Sequence, residues 1–121
     1  APEVSIAILR ALLDEKQYAE ALRQTESFGK RFADDSRRPE VALIRGKLVC
    51  LRFGRLTEAL RAFDEALAVP LAAVREDALF SRGTCLHVLA GSAASQEAWR
   101  AYLKEFPDGP HAQEVQSHLA P

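Results

Sequence analysis

Apolar residues recur at helical spacing along almost the whole chain, and no run alternates apolar and polar for long enough to make a half-buried strand. Val4, Ile8, Ala11 and Leu12 share one face of a first helix, and Tyr18, Ala21, Leu22 and Phe28 one face of a second. Leu43, Gly46, Cys50 and Phe53 mark a third, and Leu56, Ala59, Leu60, Phe63, Ala66 and Leu67 a fourth. A fifth pattern covers Leu79 to Leu89, and two more flank the turn Pro107-Asp108-Gly109-Pro110. The periodicity predicts an all-α domain of seven helices, each burying one apolar stripe.

The punctuation between these stripes is short and specific. Asp34-Asp35-Ser36 offers N-cap oxygens ahead of a helix over 37–53, Gly54 suits the left-handed residue that ends it, and Pro70 interrupts the next. Gly91-Ser92 repeats the service of Gly54. Pro107 closes the sixth helix, Asp108-Gly109 supply a turn, and Pro110 fits the first turn of a last helix over 110–119. Connections this short force neighbouring helices into antiparallel hairpins.

The hairpins repeat. RGKLVCLRFGRLTEALRAFDEAL (45–67) and SRGTCLHVLAGSAASQEAWRAYL (81–103) share an early glycine, a corner glycine eight residues later, and an alanine followed four residues on by an aromatic. Gly46 and Gly83, like Gly54 and Gly91, lie 37 apart. A fixed period in the thirties built from two helices is the mark of a solenoid whose units cannot bury their faces alone.

With Gly54, Leu56, Ala59-x-x-x-Phe63, Ala66 and Pro70 in place, the second repeat resembles the tetratricopeptide repeat (TPR) family. The third keeps Ala98-x-x-x-Tyr102 and Pro107 with about two extra residues in the corner Gly91 to Gln96, and the first keeps Tyr18 and Ala21 but has Thr25 at the aromatic position. Gly46-Lys47, Gly83-Thr84, Cys50 and His87 depart from the family pattern. The closing YLKEFPDGPHAQEV is similar to repeat ends of bacterial envelope and regulatory TPR proteins. The resemblance implies a right-handed α-solenoid of about three hairpins, at 3–35, 37–70 and 72–106, with a capping helix, all within one domain over 1–121.

It also implies a concave groove lined by the first helix of each pair. Carried over position by position, the groove takes Val41, Ile44, Leu48, Leu51 and Arg52 from the second repeat and Ala78, Ser81, Cys85, Val88 and Leu89 from the third, with Ile6, Arg10 and Leu13 from the first. Such a strip is mostly apolar. It needs a covering partner, or else the alignment is off by a position and these residues are core. The expected binding residues are Ile44, Leu48, Leu51, Arg52, Ser81, Val88 and Leu89, with Arg52 pairing a partner carboxylate.

Composition narrows the alternatives. A net charge of −1 from sixteen basic and seventeen acidic residues provides no field for nucleic acid or an anionic membrane. No apolar run is long enough to cross a bilayer, and the start lacks a signal-peptide pattern. The chain has no methionine, which implies processing or excision from something longer, so the compartment stays unassigned. Two cysteines inside apolar helical patterns read as free core residues.

Candidate chemistry is sparse. His111 and His118, seven apart, lack an i, i+4 partner or a cysteine cluster for a metal and read as solvated surface; His87 reads as helix packing. No nucleophile motif or phosphate-binding glycine loop occurs, and the carboxylate pairs fall at corners and helix starts. Lys30, Arg31, Arg37 and Arg38 around Asp34-Asp35 read as a solvated edge. The expectation is a non-enzymatic scaffold or adaptor with no metal or cofactor, binding a protein or peptide. The alternative is a homo-oligomerisation or regulatory domain of a larger bacterial signalling or envelope protein.

Overall fold

The corner residues set the path. In the computed structural model, which describes residues 1–121, helices α1 (Pro2–Asp14), α2 (Tyr18–Arg31), α3 (Arg38–Leu51), α4 (Leu56–Leu67), α5 (Ala72–Ala90), α6 (Ser92–Glu105) and α7 (Ala112–His118) follow one another with no strand. Gly54 (φ +62°) and Gly91 (φ +99°) take the left-handed backbone at the α3–α4 and α5–α6 corners, where a Cβ would be strained. Lys16 occupies the same region (φ +60°) between α1 and α2, at a cost of about 1–2 kcal/mol for a side chain there.

Three helix ends differ from expectation. Asp35 does not cap α3 directly: its Oδ1 accepts the Arg37 backbone N–H at 2.9 Å and Arg37 Nε at 3.0 Å. These bonds, the side-chain one foremost, hold the Asp35 carboxyl below its usual range. Pro110 lies ahead of α7, whose N-cap is His111. The α5–α6 corner contains no insertion, because α6 starts at Ser92, immediately after Gly91.

That last point realigns the third hairpin. In α4 the buried residues are Ala59, Ala62, Phe63 and Ala66; in α6 they are Ser95, Ala98, Trp99 and Tyr102, at the same spacing. Trp99, not Tyr102, therefore stands where Phe63 does. Both rings lie on a glycine of the preceding helix: a Cβ at Gly46 would be 2.5 Å from Phe63 Cε1, and one at Gly83 would fall inside the Trp99 ring contact. Without side chains on those glycines the helices close onto the aromatic rings, each worth about 2–3 kcal/mol by burial.

Each helix packs on the next, and α3 also packs directly on α5. The apolar interior is a row of three clusters. Ile6, Leu9, Phe28, Val41 and Leu48 form the first; Val49, Cys50, Phe63, Ala78 and Cys85 belong to the second; Leu79, Trp99, Tyr102 and Val115 belong to the third. Ion pairs tie the odd-numbered helices side by side: Arg10 to Glu40 at 3.5 Å and Lys47 to Asp77 at 2.7 Å. Arg75, donating to both Glu105 carboxylate oxygens and to the Leu67 carbonyl, ties α5 to the ends of α4 and α6. Arg37 and Arg38, expected as a solvated edge, are engaged with Asp35 and Glu3 and with Glu65.

Two further expectations are corrected. Cys50 and Cys85 are not free: they form a disulfide between α3 and α5, with Cα atoms 6.0 Å apart. On α1 three of the four residues of the apolar face chosen from periodicity point away from the core: Ile6 and Leu9 are buried with Leu12 packed beside them, while Val4 (58%), Ile8 (45%) and Ala11 are exposed. That helix is apolar on nearly all sides, so its period does not select a face.

Candidate functional site

The side-by-side packing of α1, α3 and α5 creates two adjoining depressions. One, of about 190 Å³, is lined by Leu13, Ile44, Lys47, Leu48, Leu51 and Arg52. Its neighbour, of about 320 Å³, shares Lys47 and Leu51 and adds Asp77, Phe80, Thr84 and His111, with the disulfide's Cys50 at its wall. Position within the repeat explains the floor. Leu48 faces back into the first cluster, Cys50 forward to α5, Cys85 back to α3 and His87 forward to α7, where its ring lies 5.2 Å from that of His118. Two residues apart on a helix is about 200°, so one helix serves both neighbours.

The expected binding residues fall into distinct environments here. Leu51 and Val88 are each 60% exposed and Leu89 is 36% exposed. Ile44 is half-buried against the first cluster. Leu48, at 5% exposed, is packed into that cluster, and its side chain forms floor, not rim. Ser81 is half-buried and donates its hydroxyl to Asp77 Oδ1 at 2.9 Å. Arg52 is exposed, its guanidinium 4.2 Å from the centroid of the Tyr18 ring, so it is held by a cation–π contact at the outer edge of the strip.

The second depression has a polar wall that sequence reasoning missed. His111, expected on the surface, stacks on Phe80 with ring centroids 3.8 Å apart and planes 12° apart, and its Nδ1 lies 2.6 Å from Glu76 Oε2. A carboxylate oxygen only accepts, so Nδ1 carries the proton. The Tyr102 hydroxyl donates to the same Oε2 and accepts the His111 backbone N–H at 3.0 Å. Burial, reinforced by the hydrogen bond to Glu76, raises the Tyr102 pKa to about 12. His118 is packed too, stacked on Trp99 at 5.3 Å between centroids.

Polar groups here are mutually satisfied: Lys47 is ion-paired with Asp77, and His111 is hydrogen-bonded to Glu76. No three His, Cys, Asp or Glu side chains converge as a ligand set for a metal, and no helix is long and apolar enough to cross a membrane. A signal for the ion pairs was present in the chain. Arg10 and Lys47 are 37 apart, as are their partners Glu40 and Asp77. No protein-family model matches the chain, and no curated protein matches it in sequence.

Proposed function

We propose that the chain is a non-enzymatic protein-binding module of TPR-like kind. In this reading the hairpins at 3–35, 37–70 and 72–106 stack as a right-handed solenoid, and a polypeptide segment with apolar side chains lies across α1, α3 and α5. The observation that carries it is the pair Leu51 and Val88. They hold the same repeat position, 37 apart, and both stay 60% exposed, Leu51 on the lining of both depressions. One exposed leucine is ordinary; the same exposed position on successive repeats is a surface.

The charges define the ligand further. Lys47 and Asp77 neutralise each other, so the groove does not clamp an acidic tail along its floor. It offers apolar contact, with Arg52 at the rim for one carboxylate. The Cys50–Cys85 bridge fixes the spacing of α3 and α5 along the groove and suits an oxidising compartment.

The test is a displayed-peptide selection on the immobilised protein. Peptides with apolar anchors are expected on the wild type and lost on a Leu51→Asp/Val88→Asp variant whose stability changes by less than about 0.5 kcal/mol. Recovery of the same peptides on that variant, or of none on the wild type, overturns the reading. Leu48→Glu is unsuitable as a binding probe, because it places a charge in the core and destabilises the fold.

A further inference from the structure

The depression of about 320 Å³ mixes two kinds of lining. Cys50, Leu51, Phe63 and Phe80 give it apolar walls, while Thr84 and His111 bring polar atoms beside the Lys47–Asp77 ion pair. An apolar cavity of about 150 Å³ already holds benzene, so there is room here for one substituted ring, at the lower end of what ligand pockets offer. The polar atoms decide which ring. Glu76 accepts from His111 Nδ1 at 2.6 Å, and Phe80 covers one face of the imidazole. His111 is on the lining and Glu76 is not, so the ring edge turned to the depression is the one away from Glu76, which carries Nε2. In the neutral imidazole the proton sits on Nδ1 and Nε2 is a bare acceptor, so an occupant has to donate to it. Thr84 adds a half-buried hydroxyl that can donate in return.

We infer that this depression seats one tyrosine side chain of the bound polypeptide, its ring among Leu51, Phe63 and Phe80 and its hydroxyl donating to His111 Nε2 while accepting from Thr84. The inference rests on the protein-binding reading above and names the anchor residue for it. A phenolic hydroxyl donates and accepts from one atom, and it sits at the tip of an apolar ring. The competing side chains each fail at one contact. An indole N–H only donates; a carboxylate only accepts and meets Asp77 and the Nε2 lone pair; an ammonium meets Lys47; an aliphatic chain leaves Nε2 without a partner. Glu76 acts as a positioning residue, because its bond to Nδ1 fixes the tautomer that leaves Nε2 as the acceptor. Leu51, on the lining of both depressions, joins the seat to the apolar strip.

The probes are p-cresol, toluene and 3-methylindole, titrated into the isotope-labelled full chain at about pH 8 and followed through its amide and imidazole resonances. p-Cresol is expected to shift the Leu51, Thr84 and His111 amides saturably and to move the His111 Nε2 resonance, and to bind roughly fivefold or more tighter than either other probe. His111→Phe, which keeps a ring on Phe80, and Thr84→Val, which keeps the side chain's shape, should each weaken p-cresol about three- to fivefold and leave toluene unchanged. If His111→Phe does not fold, Thr84→Val decides. The peptides selected on the immobilised protein should share a tyrosine. The inference is overturned if p-cresol does not bind in the depression, if toluene or 3-methylindole matches it, or if the folded variants bind it as the wild type does. Selected peptides without a recurrent tyrosine overturn it and leave the protein-binding reading standing, whereas no peptide at all overturns both.

Discussion

In the α3–α4 hairpin Gly46 takes the ring of Phe63; in the α5–α6 hairpin Gly83 takes the wider Trp99. Around the first, the buried residues of α4 besides Phe63 are alanines, and the link onward to α5 is covalent. Around the second, α6 buries Ser95 and Tyr102, and the link onward to α7 is a set of stacked rings and hydrogen bonds through His87, His111 and His118. One architectural position thus tolerates two chemistries. An interior hairpin, covered on both sides, is filled by small apolar residues. The α5–α6 hairpin meets the seven-residue α7, and polar side chains with partners occupy its margin.

Removing the covalent link should have the largest effect. In the chain-entropy picture, closing a loop across a sequence separation of 35 stabilises the fold by about 3–4 kcal/mol. Cys50→Ala/Cys85→Ala should therefore lower the melting temperature by about 15 °C for a domain of this size, and the wild type should show the same drop in reductant. Thermal melts with and without reductant check this. Equal melts would mean that α3 and α5 are held by their non-covalent contacts, the Lys47–Asp77 ion pair among them, as α5 and α7 are held without a bridge.

Why the bridge was not legible in the sequence follows from the repeat itself. The period of 37 maps Cys50 onto His87, not onto Cys85, so repeat logic sets the two cysteines apart. Equivalent positions point the same way on successive helices and do not meet; a bridge needs opposite flanks, two residues out of register. The seven helices and the corner glycines were legible because spacing and backbone freedom are local properties. The alignment of α6 was misread because Ala98-x-x-x-Tyr102 copies the spacing of Ala59-x-x-x-Phe63, while burial follows the glycine that each ring covers. The strip Leu51, Val88 and Leu89 came from the TPR resemblance, whereas the Glu76–His111–Tyr102 cluster depends on a chain reversal at 106–111 that no periodicity encodes.

The glycine pair comes next in size. Gly83→Ala should destabilise by about 3 kcal/mol and Gly46→Ala by about 2, since each adds a methyl into a ring contact and recovers only about 0.5–1 kcal/mol of helix propensity. Trp99 is wedged among Phe80 and His118 and has less room to move than Phe63. Denaturant titration of the two variants, with Phe63→Leu as a partner substitution for Gly46→Ala, measures the difference. Equal losses, or no relief from the smaller side chain, would remove the distinction between the two contacts.

The smallest effect belongs to the polar margin of the last hairpin. Tyr102→Phe removes the donor to Glu76 and the acceptor of the His111 N–H, and should cost about 1.5 kcal/mol. Its pH signature is more diagnostic than its size. The folded state holds the Tyr102 proton more tightly than the unfolded chain, with the pKa raised from 10.0 to about 12, chiefly by burial. The stability this contributes is complete below about pH 10 and is lost as the pH rises towards about 12. A Tyr18→Phe chain, in which Tyr102 is the remaining tyrosine, should show tyrosinate absorbance and loss of helicity rising together in that window. In Tyr102→Phe the tyrosine-linked part of the alkaline loss should vanish. Tyrosinate forming near pH 10 with the fold intact would mean that the hydroxyl reaches solvent and that the margin is looser than its hydrogen bonds indicate.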